Sequence, residues 1–369
     1  GYLNYKESLK YWGRDDAYIK KNLGEGLNSI FFAVVVATVI RSTTFEAYTI
    51  PTSSMEKSLM VGDFLFVSKM HYGVRVPMTP ISLPLVHNKV PFIGAPSYLN
   101  WPQIPYLRLP AITPIESGDP VVFNYPMDNM PVDKKENYVK RCIGTPGDSL
   151  KIVDRTALVN GNAFRFPDRS DPQYLYYVKT DGRGFSKSLL KERLDINYLT
   201  NEEMRQYPTD QDVYQRTQDQ YIMFLQSKHV EAISALANVK EVWPIVAQRP
   251  GTPIDSKLPQ GLIDIQLGQA EEILFPNPDT GHGERPYNDT WDNFGPIYVP
   301  KAGVSVELNP KNLNTYRRII GEYEGHDLKI KRDGEVLIDG VAASSYTFEK
   351  DYYWMMGDNR HNSLDSRKW

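Results

Sequence analysis

Two adjacent serines stand on a constrained turn in Ile50-Pro-Thr-Ser-Ser-Met55, where Pro51 fixes φ and small hydroxyl residues follow. A serine attacks an amide only once a base takes its proton. Histidine is the usual base, but a lysine serves where burial lowers its pKa, by as much as ~3–5 units. Tyr138-Val-Lys-Arg-Cys142 offers such a lysine on an apolar strand. In a strand Tyr138, Lys140 and Cys142 share one face, and Val139, Arg141 and Ile143 the other. A third segment, Gly357-Asp-Asn-Arg-His-Asn-Ser-Leu-Asp-Ser-Arg367, is densely polar and follows the apolar run Tyr352-Tyr-Trp-Met-Met356. Each segment also has a plainer reading. Lys140 fits a surface lysine on an edge strand, 357–367 fits a solvated loop, and bare sequence does not choose between Ser53 and Ser54.

The elements that would position these groups are mostly strands. Phe64-Leu-Phe-Val67, Pro120–Tyr125 and Tyr138–Ile143 are short β-like runs that end in Gly, Pro or Asp turns. Gly147–Ile152 followed by Leu158–Gly161 echoes Gly325–Ile330 followed by Val336–Gly340, and both read as hairpins. Between 186 and 275 the text changes to a small α+β pattern. Thr200-Asn-Glu-Glu203 is a capping box, Tyr221–Leu225 and Val242–Val246 read as strands, and Ser227–Asn238 reads as a helix. The carboxylates of 279–295 read as turn formers, since their spacing fits no calcium loop.

The chain has 369 residues, which at roughly 150 per domain suggests about two domains. Hydrophobic residues make up 41% and charged residues 24%, ordinary values for a chain with a real core. The net charge of -3 and absence of a basic block argue against nucleic acid as a partner. Cys142 is the single cysteine, which excludes an intrachain disulfide and any multi-cysteine metal site. The six histidines, at 71, 87, 229, 282, 326 and 361, form no helical pair for zinc.

The most apolar run, Leu27–Ile40, is 14 residues long. A bilayer span needs about 20, so by length alone the run also fits a buried helix or a thick strand. The run reaches that length if the helix continues through Phe45 to Tyr48, with Arg41 snorkelling. Lys6, Lys10, Arg14, Lys20 and Lys21 precede it, which places the N-terminal side in the cytoplasm. No clean small-x-small site follows, so it does not read as a cleaved leader. Residues 77–131 carry 12 prolines among Tyr98, Trp101, Tyr106 and several aliphatics. That stretch fits either a packed loop or an apolar surface resting on lipid.

Together the boxes Ile50–Asp63, Gly118–Phe123, Tyr138–Asp148 and Gly357–Arg367, in this order after an apolar anchor, resemble the type I signal peptidase (leader peptidase) family of membrane-anchored Ser/Lys proteases. The resemblance implies a mainly β fold: an antiparallel β catalytic core with an inserted α+β domain and an N-terminal anchoring helix. It divides the chain into a cytoplasmic segment 1–25, an anchor 26–47, a core of 48–153 and 346–369, and an insertion of 154–345. It implies Ser54 as nucleophile and Lys140 as general base. Thr52 and the Ser54 main-chain N–H would form the oxyanion hole, Ser363 would orient the lysine, and Asp365 with Arg367 would be a supporting ion pair. Ile50, Met55, Leu59 and Tyr138 would line shallow substrate pockets. The implied activity is removal of signal peptides after small-x-small residues through an acyl-enzyme, with no cofactor or metal. The implied setting is the bacterial cytoplasmic membrane, catalytic side outward, with preproteins, the bilayer and the secretion translocon as partners.

Some positions depart from the family. Thr52 stands where Ser is commoner, Ser53 where Gly is common, and Glu56-Lys57 replaces a more apolar pair. Lys57 is expected to be dispensable. The family usually continues past its last box with another strand or more, so either the chain is incomplete at Trp369 or its C-terminus has been removed. Three rival readings exist. Ser54-Met-Glu-Lys57 is an S-x-x-K of the penicillin-recognising kind, but no K-T-G follows. Gly147-Asp-Ser-Leu150 spells a GDSL-esterase signature, with Asp279 and His282 as a D-x-x-H. A membrane-tethered β scaffold with an inert site is the non-enzyme alternative.

Overall fold

The computed structural model describes residues 16–84, 86–199, 211–249, 251–253, 255–270, 289–309, 312–331 and 334–369. The capping box at 200–203 and the Asp279/His282 pair lie outside the described residues. Strands outnumber helices, so the expected mainly β class holds.

The first element is a helix, Asp16–Thr43. Its stretch Gly24–Thr43 has a mean hydropathy of 1.5 over 20 residues and is long and apolar enough to cross a membrane. Its apolar side chains, among them Phe31, Phe32 and Val39, are exposed. The helix stops at Thr43 and does not run on to Tyr48 as expected. The hydroxyls of Ser42 and Thr43 bond back to Val39 O, and that of Thr44 to Ile40 O, which satisfies carbonyls left open at a helix end. Phe45–Thr49 is then a strand, β1, paired with β2 (Phe64–Ser68). The junction is pinned by Glu46, which takes Arg41 at 2.6 Å and Lys69 at 2.7 Å.

The chain divides into two units. The first comprises residues 1–48, 65–114 and 128–136. Beyond the helix and the β1–β2 pair, its 69–114 segment holds only isolated bridges such as Arg75↔Arg108 and Ser82↔Tyr98. Asp133 fastens this segment by accepting from Thr79 N at 3.0 Å and Thr79 Oγ1 at 2.8 Å. Phe92, Ile93, Leu99, Trp101, Leu107 and Ile112 are exposed, so the Pro-rich stretch presents an apolar surface rather than a sealed loop.

The second unit comprises 49–64, 115–127 and 137–369. β3 (Pro120–Asn124), β4 (Asn137–Gly144) and β18 (Trp354–Met356) form a sheet in the order β18-β4-β3. β5 (Ser149–Val153), β6 (Thr156–Val159), β7 (Asn162–Ala163) and β12 (Phe294–Tyr298) form a second, ordered β12-β5-β6-β7. Their shared core contains Ile143, Leu150, Ile152, Trp291, Phe294, Trp354 and Met356.

This corrects the insertion boundaries. Residues 156–159 and 294–298 pair with β5 and 162–163 with β6, so all belong to that sheet, where Ala157 and Phe294 are buried. The inserted α+β part is a sheet of β8 (Tyr174–Thr180), β9 (Val213–Gln215), β10 (Gln220–Leu225) and β11 (Val239–Pro244). Its order is β11-β8-β10-β9, with a helix Ser227–Ser234 packed on it. The hairpin echo is real. β5-β6-β7 and the meander Leu328–Ile330, Val336–Ile338, Val341–Ala342 both turn on a residue at φ +52 and a glycine at φ +82, at Asn160-Gly161 and Asp339-Gly340. That is the tight hairpin chemistry of Asn-Gly and Asp-Gly pairs.

Candidate active site

The serine box is a loop closed at its base. Ile50 N donates to Asp63 O at 2.9 Å, and Gly62 N donates to Ile50 O at 2.9 Å. Thr52 is extended, and Ser53–Met55 then form one 3₁₀ turn with all three side chains buried. The adjacent hydroxyls face different partners. Ser53 Oγ accepts from Asn362 Nδ2 at 2.9 Å, whereas Ser54 Oγ accepts from Lys140 Nζ at 2.8 Å.

Lys140 lies on β4, opposite Val121 of β3, and is 4% exposed. Its Nζ also donates to Val139 O at 2.9 Å. Burial lowers the lysine to about 8; the carboxylates of Asp365 and Asp358 oppose that shift without cancelling it. An amine with a pKa of about 8 is uncharged in about a tenth of molecules at pH 7, far more than an ordinary lysine. Once it loses its proton, the 2.8 Å contact can reverse, with Ser54 Oγ–H donating to Nζ.

The strand alternation separates Lys140 from its neighbour. Arg141 points the other way, where its Nε donates to Asp358 Oδ1 at 2.8 Å and its Nη1 to Gly118 O at 2.7 Å. Ser58 Oγ donates to the same carboxylate at 2.6 Å. The Gly118 and Gly357 boxes therefore meet on one guanidinium. Burial would push the Asp358 carboxyl up, but the Arg141 pair outweighs it and holds the group below the usual carboxylate range. This pair was missed in the sequence; an Asp following Gly357, facing an Arg beside the lysine, was its only signal.

Most of the polar segment 357–367 is buried, with Asn362 and Leu364 exposed, so it is not a solvated loop. A Cβ on Gly357 would stand 2.2 Å from Ser363 Oγ and 2.5 Å from Ser54 O, so only glycine allows this approach. Asn359 N donates to Ser54 O at 3.1 Å. Asp365 and Arg367 form a buried forked pair at 2.9 and 2.8 Å, and Asp365 Oδ2 accepts from Gly357 N at 3.0 Å. Burial pushes Asp365 up, and Arg367 reverses that, leaving the carboxyl low. Arg367 also lies over Trp291, 4.4 Å from the ring centre.

Other expected site residues are less simply disposed. Thr52 is exposed, its Oγ1 3.5 Å from Ser54 Oγ. Ser363 is buried beside Gly357, but its hydroxyl makes no hydrogen bond to Lys140. The expected orienting bond is thus absent from this arrangement. Ile50 and Met55 are buried, and Leu59 and Tyr138 are half-buried. Tyr138 stacks on Tyr125 with ring centres 4.5 Å apart.

The S-x-x-K rival does not assemble, since Lys57 Nζ donates to Asp195 O; Ser149 of the GDSL reading opens β5 with its N–H on Asn160 Oδ1 at 2.9 Å, and the Asp279 and His282 of that reading lie outside the described residues. One further link escaped the sequence. His361 lies 3.0 Å from Asp292 through Nε2 and accepts from Leu175 N at Nδ1 at 3.3 Å, so both ring nitrogens are engaged in structural contacts. Asp292 also accepts from Ala247 N at 2.8 Å, which explains a carboxylate that had read as a turn former.

Part of the chain is similar to known proteins. Signal peptidase I of Pseudomonas fluorescens is 32% identical over 136 residues, covering 37% of this chain and 37% of that protein. Signal peptidase I of Pseudomonas aeruginosa is 34% identical over 134 residues, 36% of each. That of Rickettsia prowazekii is 31% identical over 147 residues, 40% of this chain and 47% of the relative. The chain thus spans less than half the length of these curated relatives. Residues 23–229 match the family described as signal peptidase, peptidase S26. That match takes in more than half of the chain, including the serine turn and the lysine strand, and the chain belongs to the signal peptidase family, peptidase S26.

Proposed function

We propose that this protein is a membrane-bound serine endopeptidase that removes N-terminal signal peptides from exported preproteins, cutting after small-x-small residues. The observation that carries the reading is Lys140 Nζ at 2.8 Å from Ser54 Oγ in a buried site. Uncharged Lys140 accepts the Ser54 proton as Oγ attacks the scissile carbonyl. The C–N bond then breaks as the Lys140 ammonium returns that proton to the leaving amine. A water deprotonated by Lys140 hydrolyses the acyl-enzyme and regenerates the serine. The Ser54 N–H and the Thr52 hydroxyl bind the oxyanion, and one such donor contributes about 10²–10³-fold.

The substrate lies along the edge of β4. Asn137–Lys140 pair with β3 on one side, while β18 joins the other side only from Arg141 onward. That leaves an edge for an extended peptide to add as a strand. Ile50, Met55, Leu59 and Tyr138 bound the pockets that admit small side chains. The helix Asp16–Thr43 anchors the protein in the bacterial cytoplasmic membrane. Lys20 and Lys21 stay on the cytoplasmic side, and catalysis occurs on the outer side beside the secretion translocon. The exposed apolar surface of 77–114 rests on lipid.

The test is cleavage of a peptide with an Ala-x-Ala site by the full chain in detergent. Wild type is expected to cut after the second small residue and Ser54→Ala to be inert. An intact peptide with wild type, or undiminished cutting by Ser54→Ala, overturns the reading and favours an inert scaffold.

A further inference from the structure

Lys57 holds a left-handed backbone, φ +68, which a lysine keeps only where its surroundings impose it. Its side chain is 3% exposed and runs away from Ser54 toward the inserted sheet. Nζ donates to Asp195 O at 2.5 Å and stands 3.4 Å from the Asp195 carboxylate and 3.6 Å from that of Asp212. Asp212 immediately precedes β9 and is itself buried. It also accepts from Gln173 Nε2 at 3.2 Å and from Asn197 N at 2.9 Å.

Gln173 precedes β8 and is fully buried. Its N–H donates to Asp358 O at 2.9 Å, and its carbonyl accepts from Arg360 N at 3.0 Å. Between those two residues, Asn359 N donates to Ser54 O at 3.1 Å. The contacts therefore close a ring. They leave the serine loop at Ser54, pass through Asn359, Gln173 and Asp212, and re-enter the same loop three residues later at Lys57. Glu56-Lys57 departs from the apolar pair of the family at the point where this chain supplies two acidic partners from the inserted part.

We propose that Lys57, Asp212 and Gln173 are positioning residues through which the inserted sheet holds the Ser54 loop in register with Lys140. The proposal rests on the Ser54/Lys140 reading above. None of the three touches the reacting atoms; each acts through the loop backbone. A nucleophile displaced by about 1 Å loses on the order of 10²-fold in rate, so a tether of this kind is felt in turnover before binding. Lys57 is thus not the dispensable residue that its place outside the dyad suggests.

The experiment is steady-state cleavage of an Ala-x-Ala peptide by the full chain and by Lys57→Met, Lys57→Gly, Asp212→Asn and the Lys57→Met/Asp212→Asn pair. The expected result is kcat lower by roughly 10- to 100-fold with KM within about twofold. The pH midpoint of kcat stays close to its wild-type value, because the carboxylates of Asp365 and Asp358 that act on Lys140 are not altered. The double variant is no worse than the poorer single one, since both remove one contact. Lys57→Gly is included because glycine accepts the left-handed backbone without the tether. A kcat within twofold of wild type for Lys57→Gly and Asp212→Asn, or a displaced midpoint, overturns the proposal. If every variant unfolds, amide exchange in the wild-type chain decides. Protection of the Gln173 and Asn359 amides equal to that of β8 supports the ring, and exchange at loop rates overturns it. A wild type that neither cleaves the peptide nor becomes acylated at Ser54 overturns the protease reading instead.

Discussion

Arg141 grips Asp358 through Nε at 2.8 Å, one position along the strand from Lys140 and on its opposite face. One strand thus delivers a lone amine to the serine and, on its reverse, a paired cation to the loop that holds the serine's carbonyl. Both partners of the pair are buried. Replacing one of them leaves the other charged and unsolvated, which costs about 3–5 kcal/mol. Asp358→Asn is expected to lower stability by an amount of that order in denaturant melts, and Arg141→Met to do the same. Loss of less than about 1 kcal/mol in both would contradict the role given to this pair.

The pH dependence follows from the state of Lys140. In the proposed role its active form is the free amine, and burial lowers the group to about 8. The rate is therefore expected to rise as pH increases through that value and to fall away below it. Asp358 and Asp365 each favour the ammonium, so removing the Asp358 charge should move the rising limb to lower pH. A kcat profile that is flat between about pH 6 and 10 would remove Lys140 from the role of base.

Lys140→Ala should abolish cleavage, because a positioned base contributes about 10²–10⁴-fold. Ser53→Ala should retain substantial activity, since Ser53 Oγ is engaged by Asn362 rather than by the lysine. Peptide cleavage with mass-spectrometric detection checks both. Activity in Lys140→Ala close to wild type would end the dyad assignment.

Gly357→Ala introduces a methyl group 2.2 Å from Ser363 Oγ and 2.5 Å from Ser54 O. Both contacts are too close to persist, and one of them is main chain. Overpacking of this kind costs about 1–3 kcal/mol. The expected outcome is a folded protein with a slower chemical step, read as reduced acylation of Ser54 in single turnover. Unchanged acylation would show that the two segments separate without consequence.

The apolar surface around Phe92 and Trp101 gives a test of lipid contact that is independent of the anchor. Phe92→Ser with Trp101→Ser should weaken retention on vesicles in a chain whose helix is shortened below a span, and leave peptide cleavage in detergent near wild type. Equal retention before and after the change would assign vesicle binding elsewhere.

The site was legible in the sequence where chemistry restricts residue type. Pro51 before two serines, a lysine alternating with Tyr138 and Cys142, and a polar run after an apolar strand were each visible as local patterns. What escaped was contact between distant segments. Nothing near Lys57 announces Asp195 and Asp212, and nothing near His361 announces Asp292. The helix end was also misplaced. Phe45 to Tyr48 continues the apolar character of the run, and only the back-bonded hydroxyls at 42–44 and the pairing with β2 stop the helix at Thr43. Strand membership at 156–159 and 294–298 escaped for the same reason, since register with β5 is a property of the pair.

The amide of Asn362 on the Ser53 hydroxyl divides labour between twin alcohols. One is committed as an acceptor to the architecture; its neighbour alone has an amine at hand. A serine-directed electrophile should therefore saturate at a single adduct per polypeptide, and peptide mapping should find it on the second member of the pair.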